Sequence, residues 1–76
     1  MNKLYTTSEM VTHLFENQNS LFKRYNDDKF IVSMSVRGFV MCTVNTYSMP
    51  LAIGLYKFEK WIYIGEKNRD VEEVSE

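Results

Sequence analysis

Residues 30–45, FIVSMSVRGFVMCTVN, decide the fold. Side chains alternate faces along a strand with period two. Phe30, Val32 and Met34 therefore share one face of an incoming strand, and Val40, Cys42 and Val44 share one face of an outgoing strand. A two-residue loop would pair Met34 with Met41 and Val32 with Thr43, mixing the two sets. A three-residue loop, Val36-Arg37-Gly38, pairs Met34 with Val40, Val32 with Cys42 and Phe30 with Val44, giving one wholly apolar face. It also needs a left-handed residue at its third position, where Gly38 stands. A slip by one residue would turn the apolar set into water. The stretch is predicted to be a β-hairpin with this register.

Upstream, Thr6-Thr7-Ser8-Glu9 has the form of a capping box, Thr6 as N-cap and Glu9 three residues on. Met10, Val11, Leu14 and Phe15 then form one apolar stripe of a helix, with Glu9, Thr12, His13 and Glu16 opposite. Tyr5 is placed to staple onto the first turn, and residues 17–20 end the helix. Residues 21–25 (LFKRY) read as a lead-in strand, residues 26–28 as a turn, and residues 45–48 as a loop. Pro50 then opens a strand over 51–55, which it can do at a first position or on an edge. Gly54 within it marks a bulge or bend. Residues 60–64 (KWIYI) form the last strand. The predicted architecture is α+β: one N-terminal helix packed on a four- to five-stranded antiparallel meander, with a small open β-barrel as the alternative. Residues 1–65 form the domain, and residues 66–76 read as an acidic, flexible tail.

A chain of 76 residues is near the lower limit for a core without disulfides or metals. Its 14% aromatic content offsets this, since large rings bury the most area. Self-association is a second remedy, so a homodimer is expected. A net charge of −1 provides no global field for nucleic acid. The single Cys42 excludes an internal disulfide and suits a reducing compartment. Residues 1–5 lead into polar residues and not into an apolar signal core. The most apolar run, residues 49–56, is too short to span a bilayer. The expected location is cytoplasmic, with no membrane association.

No catalytic or metal-binding constellation stands out. His13 between Glu9 and Glu16 lacks the paired histidines of a metalloprotease helix, and reads as part of a solvated face. Cys42 points into the apolar face and reads as a core residue, on the opposite side of the sheet from His13. No enzyme activity and no cofactor are expected. Arg37-Gly38-Phe39-Val40 resembles the start of the RNA-recognition-motif signature, but departs from it at Val40 and Met41. Phe39 and Met41, beside Arg37, lie on the outer face of the hairpin, where Phe, Met, Tyr and Arg suit protein contact. Base stacking is possible there too, although Arg37, Lys29, Lys23 and Arg24 make only a thin positive field. Gln18-Asn19-Ser20-Leu21-Phe22 resembles the peptide by which bacterial proteins dock on the replication sliding clamp. Asn19 departs from that pattern, and the strand would turn Leu21 and Phe22 to opposite faces. The acidic end, including Glu72 and Glu73, could occupy a basic groove, though short acidic tails are mostly solubilising.

The helix SEMVTHLF, the strand LFKRY, the glycine-tipped hairpin, the strand KWIYI and the acidic end resemble, in length and layout, the small accessory proteins of bacteriophages and prophages. That resemblance implies a non-catalytic protein that binds and inhibits or redirects a host protein, such as a defence nuclease or a replication or transcription factor. The alternatives are a single-stranded nucleic-acid binder using the outer face, and an oligomeric nucleotide sponge. The candidate partner-binding residues are Arg37, Phe39, Met41, Leu21, Phe22, Glu72 and Glu73.

Overall fold

A computed structural model describes residues 3–67. Strand β1 (Tyr5–Thr6) leads directly into helix α1 (Thr7–Glu16). Four strands follow in sequence: β2 (Ser20–Arg24), β3 (Asp27–Met34), β4 (Val40–Val44) and β5 (Tyr47–Pro50). A 3₁₀ turn (Ile53–Tyr56) leads back to β6 (Lys60–Glu66). One antiparallel sheet results, in the order β1-β6-β2-β3-β4-β5. The helix covers one face of it. Among the described residues no helix is long and apolar enough to cross a membrane.

The hairpin takes the predicted register, with Phe30 opposite Val44, Val32 opposite Cys42 and Met34 opposite Val40. Gly38 has φ +90°, the left-handed conformation the loop demands. The helix begins as expected. The Thr6 hydroxyl accepts from the Glu9 amide at 3.1 Å, and the Thr6 amide donates to the Glu9 carboxylate at 3.0 Å. That second bond, ahead of the neighbouring cations, holds the Glu9 carboxyl below its ordinary value of 4.5.

Several expectations are corrected. Tyr5 packs against the helix at His13 and also has a role that was not expected: it pairs with Trp61 as an edge strand, and its ring meets Phe22 at 5.0 Å. Tyr47–Pro50 is a strand and not a loop, because the β4–β5 turn needs only Asn45 and Thr46. Asn45 supplies the positive φ, +58°, which asparagine tolerates better than most residues. Pro50 thus ends a strand instead of opening one, on a sheet edge where its missing donor is harmless. Residues 51–55 do not form a strand: Leu51 drops into the core, while Ile53 and Leu55 in the 3₁₀ turn are exposed. Leu51 still donates its amide to the Val40 carbonyl, but Val40 is the first residue of β4, so the residues after Leu51 have no β4 partner left. The chain crosses back from β5, and β6 inserts between β1 and β2. Only β2 to β5 are ordered as a meander.

The core between helix and sheet comprises Met10, Leu14, Phe22, Phe30, Val32, Met34, Cys42, Leu51 and Trp61. Each large member contributes about 1.5–3 kcal/mol on burial. The helix stripe is rotated from the predicted one. Phe15 is 60% exposed, and Thr7, Met10 and Leu14 form the buried line. His13, expected in solvent, turns inward between Tyr5, Phe22 and Tyr63, with ring centroids 5.9, 5.3 and 5.3 Å away. Its Nε2 is buried without a hydrogen-bond partner.

One polar link crosses this apolar layer. The Trp61 indole N–H donates to the Thr7 hydroxyl at 2.8 Å, and that hydroxyl donates to the Tyr56 carbonyl at 2.5 Å. Thr7 and Trp61 are both buried. Beside this link Arg24, the β2 partner of Trp61, bonds Glu59 at 3.0 Å and lies over the rings of Phe30 and Tyr56. The Glu59 bond, opposed in part by burial, raises the guanidinium above its usual value.

Three outcomes follow from these contacts. Thr7→Val keeps the shape but strands the buried indole donor, while the Tyr56 carbonyl keeps its bond from the Glu59 amide, so denaturant unfolding should show a loss of about 1–3 kcal/mol, with Thr7→Ser losing far less. His13→Phe removes an unpartnered buried nitrogen and keeps the ring packing, and should raise stability by about 1 kcal/mol. The lowered Glu9 carboxyl contributes stability that is complete above 4.5 and lost as the pH falls through its lower folded value. The acid side of a stability–pH profile should therefore flatten in Glu9→Gln, which keeps the cap but cannot titrate.

Candidate functional site

With the helix on one face, the other face of the sheet is open. Cys42, Phe22 and Trp61 point toward the helix, so Met41 and its β5 partner Pro50 point away from it. The hairpin tip adds to this outer surface, and its backbone is tied down. The Ser35 amide donates to the Phe39 carbonyl at 2.8 Å, and the Gly38 amide to the Ser35 carbonyl at 3.0 Å. The Ser35 hydroxyl accepts from the amides of Arg37 and Phe39 at 3.3 and 3.1 Å. A single serine thus fixes the directions in which Val36, Arg37 and Phe39 leave the loop.

Those side chains, with Ser35, Met41 and Pro50, line a groove of about 490 Å³. Val36 is 82% and Phe39 63% exposed, the opposite of what a core would do with them. Arg37 is the one charged lining residue. Its guanidinium has no ion pair or hydrogen bond among the described residues. Lys23 and Arg24 are engaged elsewhere: Lys23 with Asp28 and Arg24 with Glu59. The positive field proposed for base stacking is thereby thinner than the sequence suggests. What remains is an apolar trough with one cation at its rim, Arg37, that is unpaired among the described residues.

Arg37, Phe39 and Met41 are brought together as expected. Leu21 is half-buried and does not line the groove. Phe22 is fully buried, so it is withdrawn as a contact residue. Leu21 and Phe22 point to opposite faces, as the strand requires and as a clamp-docking peptide could not tolerate. Glu72 and Glu73 lie outside the described residues. Val36 and Pro50 belong to the groove but were missed. Val36 could have been found from its place in the loop, whereas Pro50 reaches Met41 only through the β4–β5 pairing.

Cys42 is buried, and burial pushes its thiol up, which suppresses the reactive thiolate. It lies on the same side of the sheet as His13, not on the opposite side as expected, yet no hydrogen bond joins the two. Among the described residues, no group of three His, Cys, Asp or Glu side chains is placed to hold a metal. A second groove, of about 330 Å³, runs between α1 and the 3₁₀ turn and is lined by Thr7, Ser8, Val11, Thr12, Ile53 and Lys57. No protein family, curated protein or solved structure matches the chain.

Proposed function

We propose that this chain is a phage-type accessory protein that acts by binding one host protein through the hairpin groove, without chemistry of its own. The observation that carries this reading is the exposure of Val36, Phe39 and Pro50, beside the half-buried Met41, around a groove whose backbone is fixed by Ser35. Small soluble folds seldom leave such a contiguous apolar surface to water unless it meets something. Preorganisation matters as well, since a fixed loop has less entropy to lose on binding. Phe39 and Met41 act as anchors, and the Arg37 guanidinium, unpaired among the described residues, selects a partner that offers a carboxylate beside a bulky apolar side chain. The layout shared with phage accessory proteins makes a bacterial protein the expected target.

The test uses a photo-crosslinking residue at position 36, on the rim of the groove, in bacterial lysate. A specific target is one that untagged wild-type protein competes away and that Phe39→Ser loses. The affinity loss should be about 30-fold or more, as for a central anchor. Because Phe39 is exposed, the same substitution should change folding stability by no more than about 0.5 kcal/mol. Crosslinks that Phe39→Ser leaves undiminished would remove the groove from the function.

A further inference from the structure

We infer that two copies of this chain join through the free edge of β5, pairing Tyr47–Pro50 antiparallel with itself about a two-fold axis at Ser48. β5 ends the sheet, and among the described residues no strand pairs with its outer side. The direction of its backbone groups follows from two bonds. Ser35 donates its amide to the Phe39 carbonyl, and Leu51 donates its amide to the Val40 carbonyl. In an antiparallel ladder the bonded pairs alternate along the strand. Met41 and Thr43 therefore bond to β3, while Val40, Cys42 and Val44 bond to Leu51, Met49 and Tyr47. The amide and carbonyl of Ser48 and the carbonyl of Pro50 are left facing outward.

Three features make a second copy the occupant of this edge. The first is charge. No charged residue stands between Arg37 and Lys57, so β5 lacks the lysines with which exposed edges commonly repel their own kind. The second is hydrogen bonding. Proline has no amide proton, so Ser48 is the outward donor of β5, and the axis gives each Ser48 amide the other copy's Ser48 carbonyl. Pro50 then stands opposite Thr46 of the other copy. A partner strand that ran straight past Pro50 would bury an unpaired carbonyl there. This chain is already turning at Thr46, which is exposed and open to water.

The third is the side-chain register. Tyr47 and Met49 are 72% and 46% exposed, on the helix side of the sheet with Val44 and Cys42. The axis sets each Tyr47 opposite the other copy's Met49, an aromatic–thioether pair that covers both. Such an isologous contact closes at two copies. It does not depend on what the hairpin groove binds.

Analytical ultracentrifugation of the full chain, from about 1 μM to about 1 mM, should show a monomer–dimer equilibrium and no larger species. In a mixture of isotope-labelled and unlabelled copies, NMR cross-peaks are expected between the Met49 methyl of one copy and the Tyr47 ring of the other. Ser48→Pro removes the outward donor but nothing from the β4 ladder, and should weaken dimerisation about 30-fold or more, the effect of losing two backbone hydrogen bonds. Ser48→Thr keeps the donor and should stay within about 3-fold of wild type. The Trp61 indole N–H resonance reports that each variant is folded, and the cross-peaks are read on the wild type, so a misfolded variant leaves the test standing. A chain that stays monomeric at the highest concentration, forms larger assemblies or dimerises without these cross-peaks would overturn the inference. So would a dimer that folded Ser48→Pro leaves unchanged, or one that Phe39→Ser dissociates, which would assign self-association to the hairpin groove.

Discussion

The buried link from Trp61 through the Thr7 hydroxyl to the Tyr56 carbonyl is the constraint on which this architecture turns. It joins three parts distant in sequence: the first turn of the helix, the 3₁₀ crossover and the strand that returns between β1 and β2. An indole N–H in an apolar layer needs an acceptor, and a hydroxyl that accepts one bond can donate another. With the hydroxyl in place both partners are satisfied; without it, the buried indole donor is orphaned and the Tyr56 carbonyl keeps only its bond from the Glu59 amide. Apolar contact alone would fix neither the helix position nor the crossover, because it is not directional.

That constraint assigns the two faces of the sheet their different roles. The crossover carries Leu51 and Tyr56 beneath the helix side, where they complete the core around Phe30 and Trp61. Nothing in the described chain crosses the other side. The hairpin tip is stiffened locally by Ser35 and Gly38, so exposure of Val36 and Phe39 does not depend on the core across the sheet. The core and the proposed binding groove are thereby separated by one layer of backbone. Cys42 and Met41, adjacent in sequence, show the division: one is sealed in the core and the other opens onto the groove.

Local rules account for the elements that were legible from the residues. The capping box, the three-residue loop with Gly38 and the apolar face of the hairpin each depend on neighbours a few positions away. The same alternation placed Arg37, Phe39 and Met41 on the outer surface. Where the reading failed, a distant partner was responsible. His13 looked like a solvent residue because its sequence neighbours are charged, but Tyr5, Phe22 and Tyr63 come from three different strands to surround it. Residues 51–55 alternate like a strand, yet β4 is already paired with Tyr47–Pro50 on that side.

The sequence by itself determined the hairpin register, the start of the helix, the buried position of Cys42 and most of the outward-facing groove residues. These follow from strand alternation, capping chemistry and one glycine's tolerance of positive φ. Only the tertiary structure decided the insertion of β6 between β1 and β2, the inward turn of His13 and the meeting of Pro50 with Met41. Each depends on which strand edge is free when the chain returns, and periodicity along one segment carries no information about the edges of another.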